Sequence, residues 1–193
     1  PDGFAQAVMM LTYYKMRERL PVPYESVLAK AFRHGRVTVA RNMSDNIAEQ
    51  VEIFHALPSS EFEGKEKAFR MIVADIGRIC REAAGAKDFD RPLLALKRIA
   101  EMNNMPIPSI MTDCSYNRVN DLDLCTSHCG KGPGIRFFGY EPAGADCFSI
   151  GYYVDKDRIQ FSINHFDKNE AIAYKAALDS MLGELRDILD ASR

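Results

Sequence analysis

A chain of 193 residues that is 47% hydrophobic can bury a core of its own, and no run of eighteen apolar residues offers a membrane span. The 25 Lys and Arg are interspersed with 27 Asp and Glu for a net charge of −2, which excludes the basic stripe that a nucleic-acid partner requires. The opening PDGFAQAVMM lacks the pattern of a secretory signal, and Cys80, Cys114, Cys125, Cys129 and Cys147 are odd in number and irregular in spacing. Free thiols in a reducing, intracellular compartment are therefore expected.

In chain order, residues 3–18 read as a helix with Asp2 as N-cap and Phe4, Val8, Leu11 and Met16 on one stripe, ended by Leu20-Pro21-Val22-Pro23. Tyr24 to Phe32 reads as a short helix stopped near Gly35, and Arg36 to Arg41 as a strand. Ser44-Asp45 starts a helix reaching about Leu57. A long helix follows over Glu61–Ala86, with Phe69, Ile72, Val73, Ile76, Ile79 and Cys80 on its buried side. Pro92 suits the first turn of another helix ending at Met102.

After Asn103 the pattern turns to short strands over Asp121–Ser127, Ile135–Gly139, Cys147–Val154 and Arg158–Asn164. A closing helix over about 169–189 carries Tyr174, Leu178, Met181, Leu182, Leu185, Ile188 and Leu189 at three- and four-residue intervals. The expected organisation is a helical segment over 1–105, a strand-rich segment over 106–165 and the final helix. An α/β (α+β) architecture, a mixed sheet covered by helices, buries all these faces. Cys125, His128 and Cys129 have half the spacing of a zinc site, but a second ligand pair is missing and no metal is expected.

Periodicity alone stops at an α/β domain of open activity, and short motifs extend the reading. Tyr24-Glu25-Ser26 with Phe32 and Gly35-Arg36, then Asp90-Arg91-Pro92-Leu93-Leu94-Ala95-Leu96, Cys125-Thr126-Ser127 and Phe137-Phe138-Gly139 occur in this order. Together they resemble the tyrosine–glutamate–serine, glycine–arginine, aspartate–arginine–histidine, serine–threonine–serine and phenylalanine–glycine segments of choline/carnitine acyltransferases. Each is weak alone, and four in order are fairly specific. The resemblance runs from about Pro1 through the final helix.

What the resemblance implies is the carboxyl-terminal part of an enzyme with the chloramphenicol-acetyltransferase-like fold. Such enzymes move an acyl group between coenzyme A and the hydroxyl of carnitine or choline, with acyl-CoA as co-substrate and no permanently bound cofactor. The chain begins without Met inside a helix-start motif, so a longer protein is expected, with the catalytic histidine in an absent amino-terminal half. None of His34, His55, His128 or His165 falls where that base belongs, and this fragment alone is expected to be inactive.

By resemblance Ser127 is the oxyanion donor, in a catalytic segment with Cys125 and Thr126. Strand alternation turns 125 and 127 to one face and 126 to the other. Cys125 replaces a serine and is larger and a weaker donor. A nucleophilic Cys125 paired with His128 is the sharper alternative, disfavoured because the resemblance implies direct transfer without a covalent enzyme intermediate. Arg91 and Tyr24 match the carboxylate-binding positions, and Phe138, next to an equally apolar Phe137, the ammonium-binding one. Asp2 matches a position near the coenzyme A tunnel and His128 one that contacts coenzyme A. The lysines that hold the nucleotide phosphate lie upstream of Pro1 in the family pattern, so the fragment is expected to bind coenzyme A poorly.

Val37 is the choline-type residue after the glycine–arginine pair, whereas Arg91 is the carnitine-type one. Arg91 carries more weight, because a carboxylate without a cation is the harder substitution. Val39, Pro92 for histidine and an irregular Gly139–Asp146 stretch are further departures, which leave a choline acceptor and a non-catalytic acyltransferase-like binding module as alternatives.

Overall fold

The computed structural model describes residues 1–130, 134–135 and 137–191. In chain order its elements are α1 (Asp2–Arg17), β1 (Pro23–Leu28), β2 (Val37–Ala40), α2 (Asp45–Ala56), α3 (Phe62–Ala84), α4 (Asp90–Met102), a 3₁₀ turn (Ser109–Met111), α5 (Cys114–Asn120), β3 (Leu124–His128), β4 (Phe148–Val154), β5 (Ile159–Asn164) and α6 (Lys168–Ala191). The strands form one mixed sheet in the order β2-β1-β3-β4-β5. Its central pairs, β1 with β3 and β3 with β4, are parallel; the outer pairs are antiparallel.

α1 lies at the centre of the core. Its residues from Ala5 to Tyr13 are all buried, so the single stripe expected of it becomes a helix enclosed on every side. Phe148 of β4 meets Tyr13 edge-on at 6.2 Å and Tyr174 of α6 at 4.6 Å, while the Tyr174 hydroxyl donates to the Met9 carbonyl at 2.7 Å. Phe4 meets Phe69 of α3 edge-on at 5.3 Å. Together α1, α3 and α6 cover one face of the sheet.

Most elements fall where periodicity placed them. Ser44 caps α2 by accepting from the Ile47 amide at 3.1 Å, and Pro92 occupies the first turn of α4, where its missing N–H costs nothing. Four expectations are corrected. Residues 23–28 form a strand, because Pro21 and Pro23 hold the chain extended and the distant β3 supplies a parallel partner. Asp2 is not the N-cap: Pro1 holds that position, and the Asp2 carboxylate accepts the Tyr152 hydroxyl at 2.5 Å. The strand expected over Ile135–Gly139 does not form at Ile135 or Phe137–Gly139, whereas Arg136 lies outside the described residues. The strand expected from Asp121 starts at Leu124, because residues 114–120 form α5, capped by Asp113.

His55 of α2 is a part-buried base packed against the core. Its Nε2 lies 3.1 Å from the Leu11 carbonyl, its ring stacks on Tyr14 at 4.8 Å, and burial pushes its pKa down to about 4. The fold keeps the ring neutral while the unfolded chain protonates near pH 6.5, so stability is full above that pH and declines towards pH 4. Between pH 7 and pH 5 the loss from this group is expected to reach at most about 2 kcal/mol. Urea midpoints at both pH values should show a smaller acid loss for His55→Gln than for the parent; equal losses would contradict the assignment.

Candidate active site

Alternation along the strands divides the chemistry between two faces. Tyr24 registers with Cys125, and Cys125 with Ser149, so these share the face away from α1, together with Ser127 and Gly151. Glu25, Thr126, Ile150 and Tyr152 face the helices.

On the first face, the stretch from Phe138 to Ala143 lies across β3 and β4. The Tyr140 hydroxyl donates to the Cys125 carbonyl at 2.8 Å and stands 3.7 Å from its sulfur, and the Ala143 amide donates to Ser149 Oγ at 2.9 Å. A Cβ on Gly151 would come within 2.5 Å of the Phe138 carbonyl, so glycine is required there for the backbone to approach. Gly151 is also the register partner of Ser127, which brings Phe138 to the Ser127 side of the sheet. Phe138 is half-buried with its ring 5.8 Å from that of Tyr140, whereas Phe137 is 64% exposed. Burial raises the pKa of both Cys125 and Tyr140, so thiol and phenol stay protonated. His128 lies on the opposite face from Cys125 and is exposed, so the two form neither a nucleophile–base pair nor part of one metal site.

Next to this row two arginines, Arg91 and Arg41, flank Tyr24. Arg91, in the first turn of α4, donates to the Tyr24 hydroxyl at 3.3 Å. Arg41 holds its guanidinium 5.2 Å from the Tyr24 ring centre and donates to Asp90 at 2.6 and 2.9 Å. Asp90 is thereby neutralised by Arg41, and its contact with Arg91 is a loose 3.9 Å. The Arg91 guanidinium, 40% exposed, keeps free N–H groups for an anion. Both Tyr24 and Arg91 line a cavity of about 600 Å³ walled by α4, the 3₁₀ turn and α5. Val37 does not join them: it pairs with Leu28, four residues or about 13 Å along β1 from Tyr24, and is exposed.

Behind the strands is a buried cluster that sequence reasoning missed. Gln6 Nε2 donates to Thr126 Oγ1 at 2.9 Å and to the Tyr152 hydroxyl at 3.0 Å. Tyr152 lies 2.5 Å from Asp2 and 3.1 Å from Glu25, and Glu25 also accepts from Asn42 at 2.5 Å and from the Cys80 thiol at 3.3 Å. Burial, reinforced by the charge of Asp2, raises the Glu25 pKa. Asp2, Glu25 and Cys80 form the one metal-sized group among the described residues, and Tyr152, Asn42 and Cys80 itself donate to its carboxylates. Asp2 and His128 meet around Tyr152, whose ring centre is 5.2 Å from that of His128. The signal for the cluster was present in Gln6 and Glu25, polar residues at core positions of α1 and β1.

The sheet thus carries Ser127 and the Phe138 backbone on one face, with Arg91 on Tyr24 at its edge and a carboxylate cluster behind it. A family model described as Choline/Carnitine o-acyltransferase matches residues 1–180, and the chain belongs to that family. It is 26% identical to human mitochondrial carnitine O-palmitoyltransferase 2 over 191 residues, 98% of this chain. It is 28% identical to a putative mitochondrial carnitine O-acetyltransferase of Saccharomyces cerevisiae over 157 residues, 80% of this chain and 23% of the relative. Bovine peroxisomal carnitine O-octanoyltransferase is 28% identical over 118 residues, 61% of this chain and 19% of the relative. The chain spans 29% of the length of the human palmitoyltransferase.

Proposed function

We propose that this chain forms the acceptor-binding and oxyanion-stabilising side of an acyl-CoA:carnitine O-acyltransferase with the chloramphenicol-acetyltransferase-like fold. The observation that carries the reading is the Arg91–Tyr24 pair, a guanidinium only loosely paired with Asp90, beside the face that carries Ser127. Arg91 and Tyr24 hold the carnitine carboxylate, and Phe138 packs against the trimethylammonium group. A base removes the proton from the carnitine hydroxyl as its oxygen attacks the thioester carbonyl. The carbonyl oxygen gains the charge and receives a hydrogen bond from Ser127. Collapse re-forms the carbonyl, breaks the carbon–sulfur bond and releases coenzyme A, its sulfur taking up the proton.

Cys125 stays neutral beside Ser127 and shapes the acceptor side, and Thr126, tied to Gln6, fixes β3 from behind. Asp2 and His128, at the opposite rim, approach coenzyme A, which is a co-substrate rather than a resident cofactor. The base comes from outside these 193 residues: His55 of α2 lies against the Leu11 carbonyl, His34 lies exposed in the β1–β2 turn, His165 packs on Phe148, and His128 faces away from Ser127. This is why the fragment alone is inactive and its partner is the remainder of the same enzyme. An intracellular compartment that holds acyl-CoA fits this reading, and the relatives carry mitochondrial and peroxisomal names. Among the described residues no helix is long and apolar enough to cross a membrane.

Val37 favours choline as acceptor, but its distance from Tyr24 removes it from the carboxylate site, whereas choline leaves Arg91 unused. Arg91→Asn in the native full-length protein is therefore expected to raise the KM for carnitine roughly 10–100-fold with little change in kcat, the loss of one charged hydrogen-bonding group. Any turnover of choline should be untouched. Equal losses with both acceptors would contradict the assignment.

A further inference from the structure

The cavity beside Tyr24 and Arg91 is larger than the acceptor it is proposed to hold. About 600 Å³ lies in the range that encloses a drug-sized ligand, whereas carnitine has only ten or so heavy atoms. Its lining has two characters. At β1 and the first turn of α4 it is polar, with Arg91 as its available cation because Arg41 is committed to Asp90. Beyond them Leu93 and Leu94 of α4, Ile110 of the 3₁₀ turn and Val119 of α5 make most of the wall, with Asp113, Ser115 and Asn120 interspersed. Leu94, Ile110 and Val119 are 37%, 59% and 39% exposed, so apolar surface from three separate elements faces one concavity.

We infer that this cavity binds an amphipathic monocarboxylate, a medium-chain fatty acid in particular, with the carboxylate on Arg91 and Tyr24 and the alkyl chain along Leu93, Leu94, Ile110 and Val119. One available cation, Arg91, and a largely apolar remainder match this chemistry and give a neutral lipid no charged anchor. The site shares Arg91 with the proposed acceptor position, so in that respect it rests on the acceptor reading; a fatty carboxylate then excludes carnitine, making free acid a brake on the transferase.

The test uses the native full-length protein with decanoate as probe and decanol as its neutral control. Decanoate should bind in a calorimeter and raise the KM for carnitine without lowering kcat, and decanol should do neither. Leu94→Gln and Ile110→Gln, each at an exposed position, should weaken decanoate at least about tenfold and leave the KM for carnitine unchanged. Competition against acyl-CoA instead of carnitine, equal inhibition by decanol, or full retention of binding in both variants would each overturn the inference. Decanoate binding that depends on Arg91 and Leu94 in a protein without transferase turnover would uphold the cavity while removing the acceptor reading.

Discussion

Ser127→Ala in the native enzyme is expected to lower kcat by about 10²–10³-fold and leave the KM for carnitine nearly unchanged, the loss of one oxyanion donor. Ser127 is half-buried on β3, opposite the glycine whose missing Cβ admits the Phe138 backbone, so the alanine variant should neither unfold nor open a cavity. Its neighbour Cys125 is a poor substitute, since a thiol is a weak donor and Tyr140 already occupies its surroundings. The split between the two kinetic constants separates the roles on this face. A loss confined to kcat belongs to a group that acts in the transition state, and one confined to KM to a group that holds the acceptor. A Ser127→Ala enzyme with near-normal kcat would make Ser127 an ordinary strand residue.

The largest loss of stability is expected from Asp123→Ala. Asp123 is 5% exposed just before β3 and gathers the Arg19 guanidinium at 2.7 and 2.9 Å, Arg118 of α5 at 2.7 Å and the Val22 amide at 2.8 Å. It therefore fastens the entry of β1, the end of α5 and the start of β3 at one point. Removing it strips the Val22 amide of its side-chain partner and separates two arginines from their anion. Because both arginines are nearly half exposed, water recovers part of the interaction, and the expected cost is about 2–4 kcal/mol. These partners hold the carboxyl pKa down to about 2, against an ordinary value near 3.8. Its ionic contribution is present above pH 3.8 and lost as the pH falls towards 2. Urea unfolding near neutral pH should show the full difference between parent and variant, narrowing in acid; a difference that did not narrow would place its origin in packing instead.

Much of this architecture was legible locally. α3 and α6 declare themselves by long apolar stripes, α2 by Ser44, and the strand β2 by its β-branched run. β1 misled because Tyr24 to Leu28 is short, and its identity as a strand depends on a parallel partner a hundred residues away. α5 was missed because seven residues with nothing buried leave no stripe to detect. For the site, motif order brought out Tyr24, Arg91, Cys125, Ser127 and Phe138, and the fold gathers the first two at one cavity and the others around Gly151. Gln6, Glu25 and Tyr152 escaped because their cluster joins residues up to 146 apart in the chain, and none carries a local motif for it. Val37 matched by sequence alone, and only the hairpin register separates it from Tyr24.

The central claim, that the Arg91–Tyr24 and Ser127 face serves transfer from acyl-CoA to carnitine, is tested most directly by thiol release. The native full-length protein should liberate coenzyme A from acyl-CoA thioesters when L-carnitine is present and not when choline replaces it. Release with choline alone, or none with either acceptor from protein shown to be folded, would contradict it.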